Sequence, residues 1–274
     1  MKKHIISIAF LAGLFITLSV LLYPFAARYL NSKTQTRVVT QYINDVQAID
    51  DGSRQVILDA AHEYNRNLLC RARRFKFTEK EKAEYLEQLD AGRRVMGLLM
   101  IGKLDINLPI YHGTDEGVLQ VGLGHMQGTS LPVGGVGTHA FITGHRGLPS
   151  SKLLSNLNKL VEGDTFALYI LSETLTYQVD NIRTVSPDMV EALDIDPEQD
   201  FCTLVTCTPY GVNTHRLLVR GHRIDNLADA KWDSLYADAK YLDKSMVILL
   251  LMVPVLPIMA IVVIFICRKI RKRR

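Results

Sequence analysis

Residues Thr203–Arg223, TLVTCTPYGVNTHRLLVRGHR, contain two apolar runs joined by a short polar turn. Side chains alternate between the two faces of a strand, so Val205 and Cys207 share one face of the first run. The Pro and Gly of TPYGVNT predict a turn, and antiparallel pairing across it would place Cys207 and Arg216 at the same end of the sheet. Arg220 shares the face of Arg216 but lies about 13 Å further along, at ~3.3 Å per residue. The stretch therefore predicts a hairpin that presents a thiol beside a guanidinium group.

Short apolar runs separated by Gly, Pro and Asn also precede this hairpin, from about residue 93 onwards. They include VMGLLMI, LPIYHG, HAFITGH, TFALYIL and LTYQVDNIRTV. Several such strands with few helices between them are typical of a closed β barrel. Residues 34–64 instead repeat apolar side chains at helical spacing, with a break at DDGS, and Thr78 with Glu81 forms a capping box that starts a further helix. The predicted fold class is mainly β, a closed barrel with short helices and an N-terminal helical region.

The charge of the chain is concentrated at its two ends. Residues 1–30 hold three basic residues and residues 245–274 hold six, with no acidic residue in either segment. The part between them holds the other 23 of the 32 basic residues, against 28 acidic ones. A nucleic-acid partner would require a basic surface on the folded part, so this slight acidic excess argues against one.

Two apolar segments are long enough to cross ~30 Å of hydrocarbon. Ile5–Ala27 exceeds the apolar core of a signal peptide, which favours a retained anchor over a cleaved signal. Met246–Cys267 is followed by RKIRKRR, a basic tail typical of a cytoplasmic stop-transfer sequence, and a buried core helix is the less favoured alternative. Both termini are therefore predicted to be cytoplasmic and the middle extracellular. The predicted parts are a membrane span (1–30), an extracellular helical region (31–92), a β-barrel domain (93–225), a linker (226–244) and a second span with its tail (245–274).

The four cysteines indicate a free thiol rather than a disulfide framework or a metal site. Cys267 lies at the predicted membrane edge, and the other three have irregular spacing. Cys202 lies on the strand face opposite to Cys207 and is predicted to be core. A thiol becomes a nucleophile when a nearby base or positive charge favours its ionisation, and His145, which ends the run HAFITGH before a Gly-Pro loop, is the candidate base. The alternative is a buried cysteine and a surface histidine without a catalytic role.

TLVTCTPYGVNTHRLLVRGHR and ITGHRGLP together resemble the signature pair of class C sortases, the pilin-polymerising transpeptidases of Gram-positive bacteria. LPIYHGT and GHMQGTSLPVGG resemble further segments of that family, so the similarity covers roughly residues 93–225 in the same order. The resemblance implies that Cys207 is the nucleophile and His145 the acid and base. It also implies that Arg216 holds the substrate and its developing oxyanion. Thr206 is a further candidate for shaping the substrate site, and a buried strand threonine is the equal alternative.

The resemblance also implies a reaction and its partners. Attack on the Thr–Gly bond of an LPxTG-like sorting signal would give a thioacyl enzyme, and a pilin lysine amine would then form an isopeptide bond. The expected partners are pilin subunits and the membrane of a Gram-positive cell, with a monomeric catalytic domain and no metal or cofactor. Two alternatives are a sortase that anchors surface proteins to peptidoglycan, which the two-span topology disfavours, and a membrane-tethered pilin-binding module without catalysis.

One segment departs from the family pattern. Many class C sortases carry a lid in which an Asp-Pro-aromatic motif covers the cysteine and contacts the arginine. Here RRFKFT stands in the equivalent place, so the acidic residue and the proline are missing. We expect a lid-like segment near residues 71–77 that closes more loosely, with Phe77 or Phe75 as its only anchor. Arg73 and Arg74 are expected to be repelled by Arg216 and by a positively charged His145. The alternative is that this stretch is a basic helix connector that touches no catalytic residue.

Overall fold

The computed structural model describes residues 2–71, 73–91, 94–148, 151–188 and 193–226. Among these residues, 31–226 belong to one compact unit and 2–30 to a second. The helices are α1 (Lys2–Ala48), α2 (Asp51–Leu69), α3 (Glu79–Glu87) and α4 (Glu116–Val121), with 3-10 turns at Gly102–Leu104 and Leu157–Lys159. The strands are β1 (Val95–Ile101), β2 (Ile106–His112), β3 (Leu123–His125), β4 (Thr138–Thr143), β5 (Thr165–Ile170), β6 (Glu173–Val185), β7 (Asp200–Thr208) and β8 (His215–Ile224).

The strands form one closed barrel in the order β1-β2-β3-β4-β7-β8-β6-β5. The β2–β3 and β4–β7 pairs are parallel, and the other neighbours are antiparallel. The closed barrel predicted from the short apolar runs is therefore confirmed. The parallel β4–β7 pair joins strands that are far apart in the sequence, and it carries the loop after β4 to the hairpin of β7 and β8.

Alternation along β7 and β8 divides their apolar side chains between the two faces of the barrel wall. Cys202, Leu204 and Val219 are fully buried in the large core cluster. Val205 and Leu218 belong to a separate cluster with Phe141 of β4. We refer to the face of this second cluster as the outer face, because the large cluster occupies the barrel interior.

The N-terminal helices pack onto the barrel through buried polar contacts. The predicted break between the first two helices is confirmed, because α1 ends at Ala48 and Asp50 caps α2 by accepting the Ser53 N–H at 2.9 Å. The Tyr42 hydroxyl donates to Met96 O and accepts from Leu171 N, each at 3.1 Å. These bonds hold α1 against β1 and against the turn that joins β5 to β6.

The third helix is fixed at its first turn and in its middle. The predicted capping box is present, with the Thr78 N–H donating to Glu81 Oε2 at 2.7 Å and the Glu81 N–H donating to Thr78 Oγ1 at 3.3 Å. Tyr85 is buried against the barrel, where its hydroxyl accepts the Gly113 N–H at 3.0 Å and lies 2.9 Å from His125 Nδ1.

No helix within the described ranges combines the length and the apolar character that a membrane crossing requires. The predicted second span and its tail (245–274) lie outside those ranges, as does the linker from residue 227 onwards. The two membrane spans therefore stay a prediction.

Candidate active site

The β7–β8 hairpin brings the predicted nucleophile and the predicted arginine together. Cys207 pairs directly with Arg216, whereas Arg220 pairs with Thr203 four residues further along the strands. Directly opposite residues on an antiparallel pair have Cβ atoms about 4.5–5.5 Å apart and point to the same face. The expected register, with Arg216 rather than Arg220 beside Cys207, is confirmed.

His145 reaches the same rim of the barrel from the neighbouring strand. β4 runs parallel to β7, and its ladder ends where the Gly144 N–H donates to Val205 O at 3.0 Å. His145 follows directly, so the same register places it alongside Cys207, two residues beyond Val205. By register, Cys207 therefore lies between the strand end that carries His145 and the strand end that carries Arg216.

The two cysteines of β7 differ in face and burial. Cys207 is partly buried on the outer face. Cys202 is fully buried on the inner face, and this burial raises the pKa of its thiol well above the usual value, which keeps it protonated. The prediction that Cys202 is a core residue is confirmed.

Thr206 is a buried strand residue on the face opposite to Cys207, and its role in shaping the substrate site stays a prediction. Its side chain points inward, its exposed fraction is 1%, and its hydroxyl donates to Gly144 O at 2.8 Å. Neighbours along a strand face opposite sides, so the residue beside Cys207 has to point into the barrel. Thr206 fixes the backbone from which His145 extends, and so supports the site from beneath.

The imidazole of His145 lies beside a carboxylate on α4. Glu116 Oε2 is 3.4 Å from His145 Nε2, a contact that is too poorly aligned to be a hydrogen bond. The Nε2 atom is shielded from solvent and has no hydrogen-bond partner, although the whole side chain is 25% exposed. The interaction with His145 lowers the pKa of Glu116, after the larger effect of a hydrogen bond from Gln120. Nothing in the sequence pattern indicated that Glu116 and His145 would be neighbours.

Arg146 joins the loop that carries His145 to the end of β7. Its Nη1 donates to Thr208 Oγ1 at 3.1 Å and its Nη2 to Asn158 Oδ1 at 3.0 Å. Its guanidinium group also lies 5.9 Å from the ring centroid of Tyr210. Thr208 directly follows Cys207, so one side chain fixes the two strand ends that hold the imidazole and the thiol. Sequence reasoning missed this residue, although it stands next to His145 in GHRGLP.

The two arginines of β8 have different surroundings. Arg216 is partly exposed, and its Nη1 donates to the carbonyl oxygens of Asn213 and His215, each at 3.2 Å. Arg220 instead forms a two-pronged ion pair with Asp180 of β6, with both N···O distances at 3.0 Å, and stacks 4.1 Å from the ring centroid of Phe201. Arg220 therefore has a structural role, whereas Arg216 is bound to main-chain oxygens at the rim.

Two other histidines of the barrel, His125 and His139, are buried and structural. Burial lowers the pKa of His125 and of His139 to about 4 in each case. His139 is held by Thr203 Oγ1 at 2.7 Å and by Asp194 O at 2.8 Å. It lies at the start of β4, at the opposite end from the rim that carries Cys207.

The lid-like segment packs on the loops beside the outer face. Arg74 donates to Leu193 O at 3.4 Å and meets Asp194 Oδ1 at 3.5 Å. Phe75 packs against Gly128, where an added Cβ would lie 2.7 Å from its ring. Leu193 in turn packs on the outer-face cluster of β4, β7 and β8.

The anchors of this segment differ from the expected ones. Arg74 was expected to be repelled by Arg216, but it meets an acidic residue of the β6–β7 connection and is an anchor itself. Phe75 is 38% exposed and Phe77 is partly buried. The expectation of an aromatic residue as the only anchor is therefore wrong, and looser closure over Cys207 stays a prediction.

Comparison with known proteins gives consistent matches. A family model described as the sortase domain matches residues 99–224. Sortase A of Streptococcus agalactiae is 37% identical over 117 residues, which make up 42% of this chain and 47% of that protein. The chain thus spans about half the length of this curated relative.

Solved structures match over a larger part of the chain. Sortase C1 from Streptococcus agalactiae has a TM-score of 0.67 and 48% identity, covering 70% of this chain and 100% of the other. Sortase C from Streptococcus pneumoniae has a TM-score of 0.64 and 39% identity, covering 69% of this chain and 97% of the other. The crystal structure of that pneumococcal protein is described as informative on catalysis and on pilin substrate specificity.

The fold and the register define a closed β-barrel protein in which a cysteine, a histidine and an arginine lie on neighbouring strand ends at one rim. Together with these matches, they establish that the chain belongs to the sortase family of cysteine transpeptidases, as a class C sortase.

Proposed function

We propose that this sortase polymerises pilins by cleaving an LPxTG-like sorting signal and joining it to a pilin lysine. The observation that carries the proposal is the row of His145, Cys207 and Arg216 across β4, β7 and β8. Each of these residue types has a distinct task in acyl transfer, namely acid and base, nucleophile, and electrostatic stabiliser. The similarity to class C sortases supports the choice of pilins as substrates.

In the first half-reaction, the Cys207 thiolate attacks the carbonyl carbon of the sorting-signal Thr. Arg216 stabilises the negative charge that develops on the carbonyl oxygen. As the C–N bond to Gly breaks, protonated His145 gives its proton to the leaving amine. The product is a thioester between Cys207 and the Thr residue of the substrate.

In the second half-reaction, the ε-amine of a pilin lysine attacks the thioester carbon. His145 takes the proton from the attacking amine, the C–S bond breaks, and the Cys207 thiolate is released. An isopeptide bond between two pilins is the result. The enzyme returns to its starting state, and this sequence of steps draws on no group besides the two substrates and the three side chains.

The proposal includes anchoring in the cell membrane of a Gram-positive bacterium by both ends of the chain. The apolar runs Ile5–Ala27 and Met246–Cys267 and the basic residues beside them support this topology. The catalytic barrel would then be extracellular, where exported pilins can reach the rim. Both termini would be cytoplasmic.

The test is a polymerisation assay on the full-length chain in detergent micelles. Purified pilin with a sorting signal and an acceptor lysine should give a ladder of covalent multimers, and the same pilin with Lys→Arg at the acceptor position should not. Transfer to a peptidoglycan-like amine without any pilin ladder would favour the wall-anchoring alternative. Binding of pilin without any covalent product would favour the non-catalytic module.

A further inference from the structure

Glu116 on α4 is the acidic side chain closest to the imidazole of the proposed acid and base. Its Oε2 lies 3.4 Å from His145 Nε2, within ion-pair distance. The Nε2 atom is shielded from solvent and has no hydrogen-bond partner in the structure. A shielded polar atom without a partner is unfavourable, and a small reorientation of this carboxylate would align it for a hydrogen bond to Nε2.

The carboxylate is held in place by its own surroundings. Gln120, one turn further along α4, donates from Nε2 to Glu116 Oε1 at 2.6 Å, which leaves Oε2 directed at the imidazole. The end of α4 is fixed to α1, because Gln35 Nε2 donates to Val121 O at 3.1 Å and to Ser151 Oγ at 3.2 Å. One hydrogen bond within α4 therefore orients the Glu116 carboxylate, and one from α1 fixes the end of the helix that carries it.

We propose that Glu116 is a positioning residue that stabilises the protonated imidazole of His145 while it transfers a proton to the leaving amine. A carboxylate beside an imidazole favours the charged form of the ring and holds it in one orientation. This role rests on the proposed function, because it acts through His145 and does not touch the substrate. The carboxylate is 70% exposed, so its effect is moderate and is weakened by salt.

The chain offers a matched control next to Glu116. Asp115 is the N-cap residue of α4, and its side chain makes no capping hydrogen bond. Asp115→Asn removes one negative charge from the same turn without removing the contact with His145. Glu116→Gln removes the charge and keeps the shape of the side chain.

The experiment measures kcat and KM for the full-length chain, in detergent, on a fluorogenic LPxTG-like peptide at low and high salt. We expect Glu116→Gln to lower kcat about two- to fivefold at low salt with little change in KM, and the loss to shrink in ~1 M NaCl. Asp115→Asn should match the parent chain, and both variants should have the thermal midpoint of the parent because their side chains lie at the surface.

Three results would overturn the assignment. The first is an unchanged kcat in Glu116→Gln, and the second is an effect of this substitution on KM alone. The third is a loss of kcat that does not depend on the contact, either because it is equally large at both salt concentrations or because Asp115→Asn shows the same loss. A parent chain without turnover would instead overturn the proposed function, so the two failures are distinguishable.

Discussion

The clearest perturbation compares the two arginines of β8, because they share a strand face but not a role. Arg216 lies opposite Cys207, and its two hydrogen bonds go to main-chain oxygens at a partly exposed rim. Loss of one oxyanion-stabilising group lowers kcat by about 10²–10³-fold. Arg216→Ala should therefore lower kcat/KM at least ~100-fold and change the free energy of unfolding by less than about 0.5 kcal/mol.

Arg220→Ala should lower the free energy of unfolding and leave most of the activity intact. Its guanidinium group is 29% exposed and makes both hydrogen bonds to the Asp180 carboxylate, which is 22% exposed. Removing the arginine takes two hydrogen bonds from this mostly buried carboxylate and leaves it His222 Nδ1 at 3.8 Å, at a cost of about 1–3 kcal/mol after allowance for solvent screening. Activity should stay within about fivefold of the parent, because Arg220 lies about 13 Å along the strand from Arg216.

The assay combines hydrolysis of a fluorogenic LPxTG-like peptide with urea unfolding of the same preparations. Asp180→Asn is the matched control, because it disrupts the same ion pair from the other side and should reproduce the stability loss of Arg220→Ala with activity retained. Equal losses of kcat/KM in Arg216→Ala and Arg220→Ala would refute the assignment of Arg216, and so would an Arg216→Ala chain within tenfold of the parent.

Three further predictions follow from the surroundings of the site. Arg146→Ala removes the bridge between the strand ends and should lower kcat about tenfold or more, a loss typical of misplaced catalytic groups; unchanged steady-state kinetics would contradict it. If Phe75 or Phe77 covers the thiol, then Phe75→Ala or Phe77→Ala should speed modification of Cys207 by a thiol reagent, and equal rates in all three chains would exclude an aromatic plug. Burial lowers the pKa of His125 and of His139 to about 4 each, whereas a histidine of the unfolded chain titrates near ~6.5, so the unfolded chain binds about two more protons between these values. The two histidines together should therefore make the free energy of unfolding fall by about 2.7 kcal/mol per pH unit from pH ~6.5 towards ~4. Urea midpoints that stay constant between pH ~7 and ~5 would contradict this sign.

Strand parity and turn chemistry explain why the β7–β8 hairpin could be predicted from the sequence. TPYGVNT fixed the place of the turn, and the alternation around it fixed which residues share the face of Cys207. The same parity rule puts Thr206 on the inner face, in agreement with the alternative of a buried strand threonine. Its bond to Gly144 O could not be predicted, because that bond depends on the parallel pairing of β4 with β7.

The contacts that the sequence did not predict join segments that are distant along the chain. Glu116 meets His145 because α4 packs beside the loop after β4. Arg74 meets Asp194, 120 residues away, through the connection between β6 and β7. Charge patterning predicted repulsion for Arg74. The ion pair with Asp194 could not be predicted, because the local sequence contains no information about which loop folds over the outer face. Local periodicity determines faces and turns, whereas such pairings depend on the tertiary arrangement.

The central claim is that Cys207 forms a thioester with the substrate. The most direct measurement incubates the full-length chain with an LPxTG-like peptide, quenches the reaction in acid and locates the acyl adduct by peptide mapping with mass spectrometry. The adduct, with the mass of the peptide up to its Thr residue, should appear on Cys207 in the parent chain and in Cys202→Ala, and should be absent from Cys207→Ala. An adduct on another residue, or cleavage of the peptide by Cys207→Ala at the parent rate, would contradict the claim.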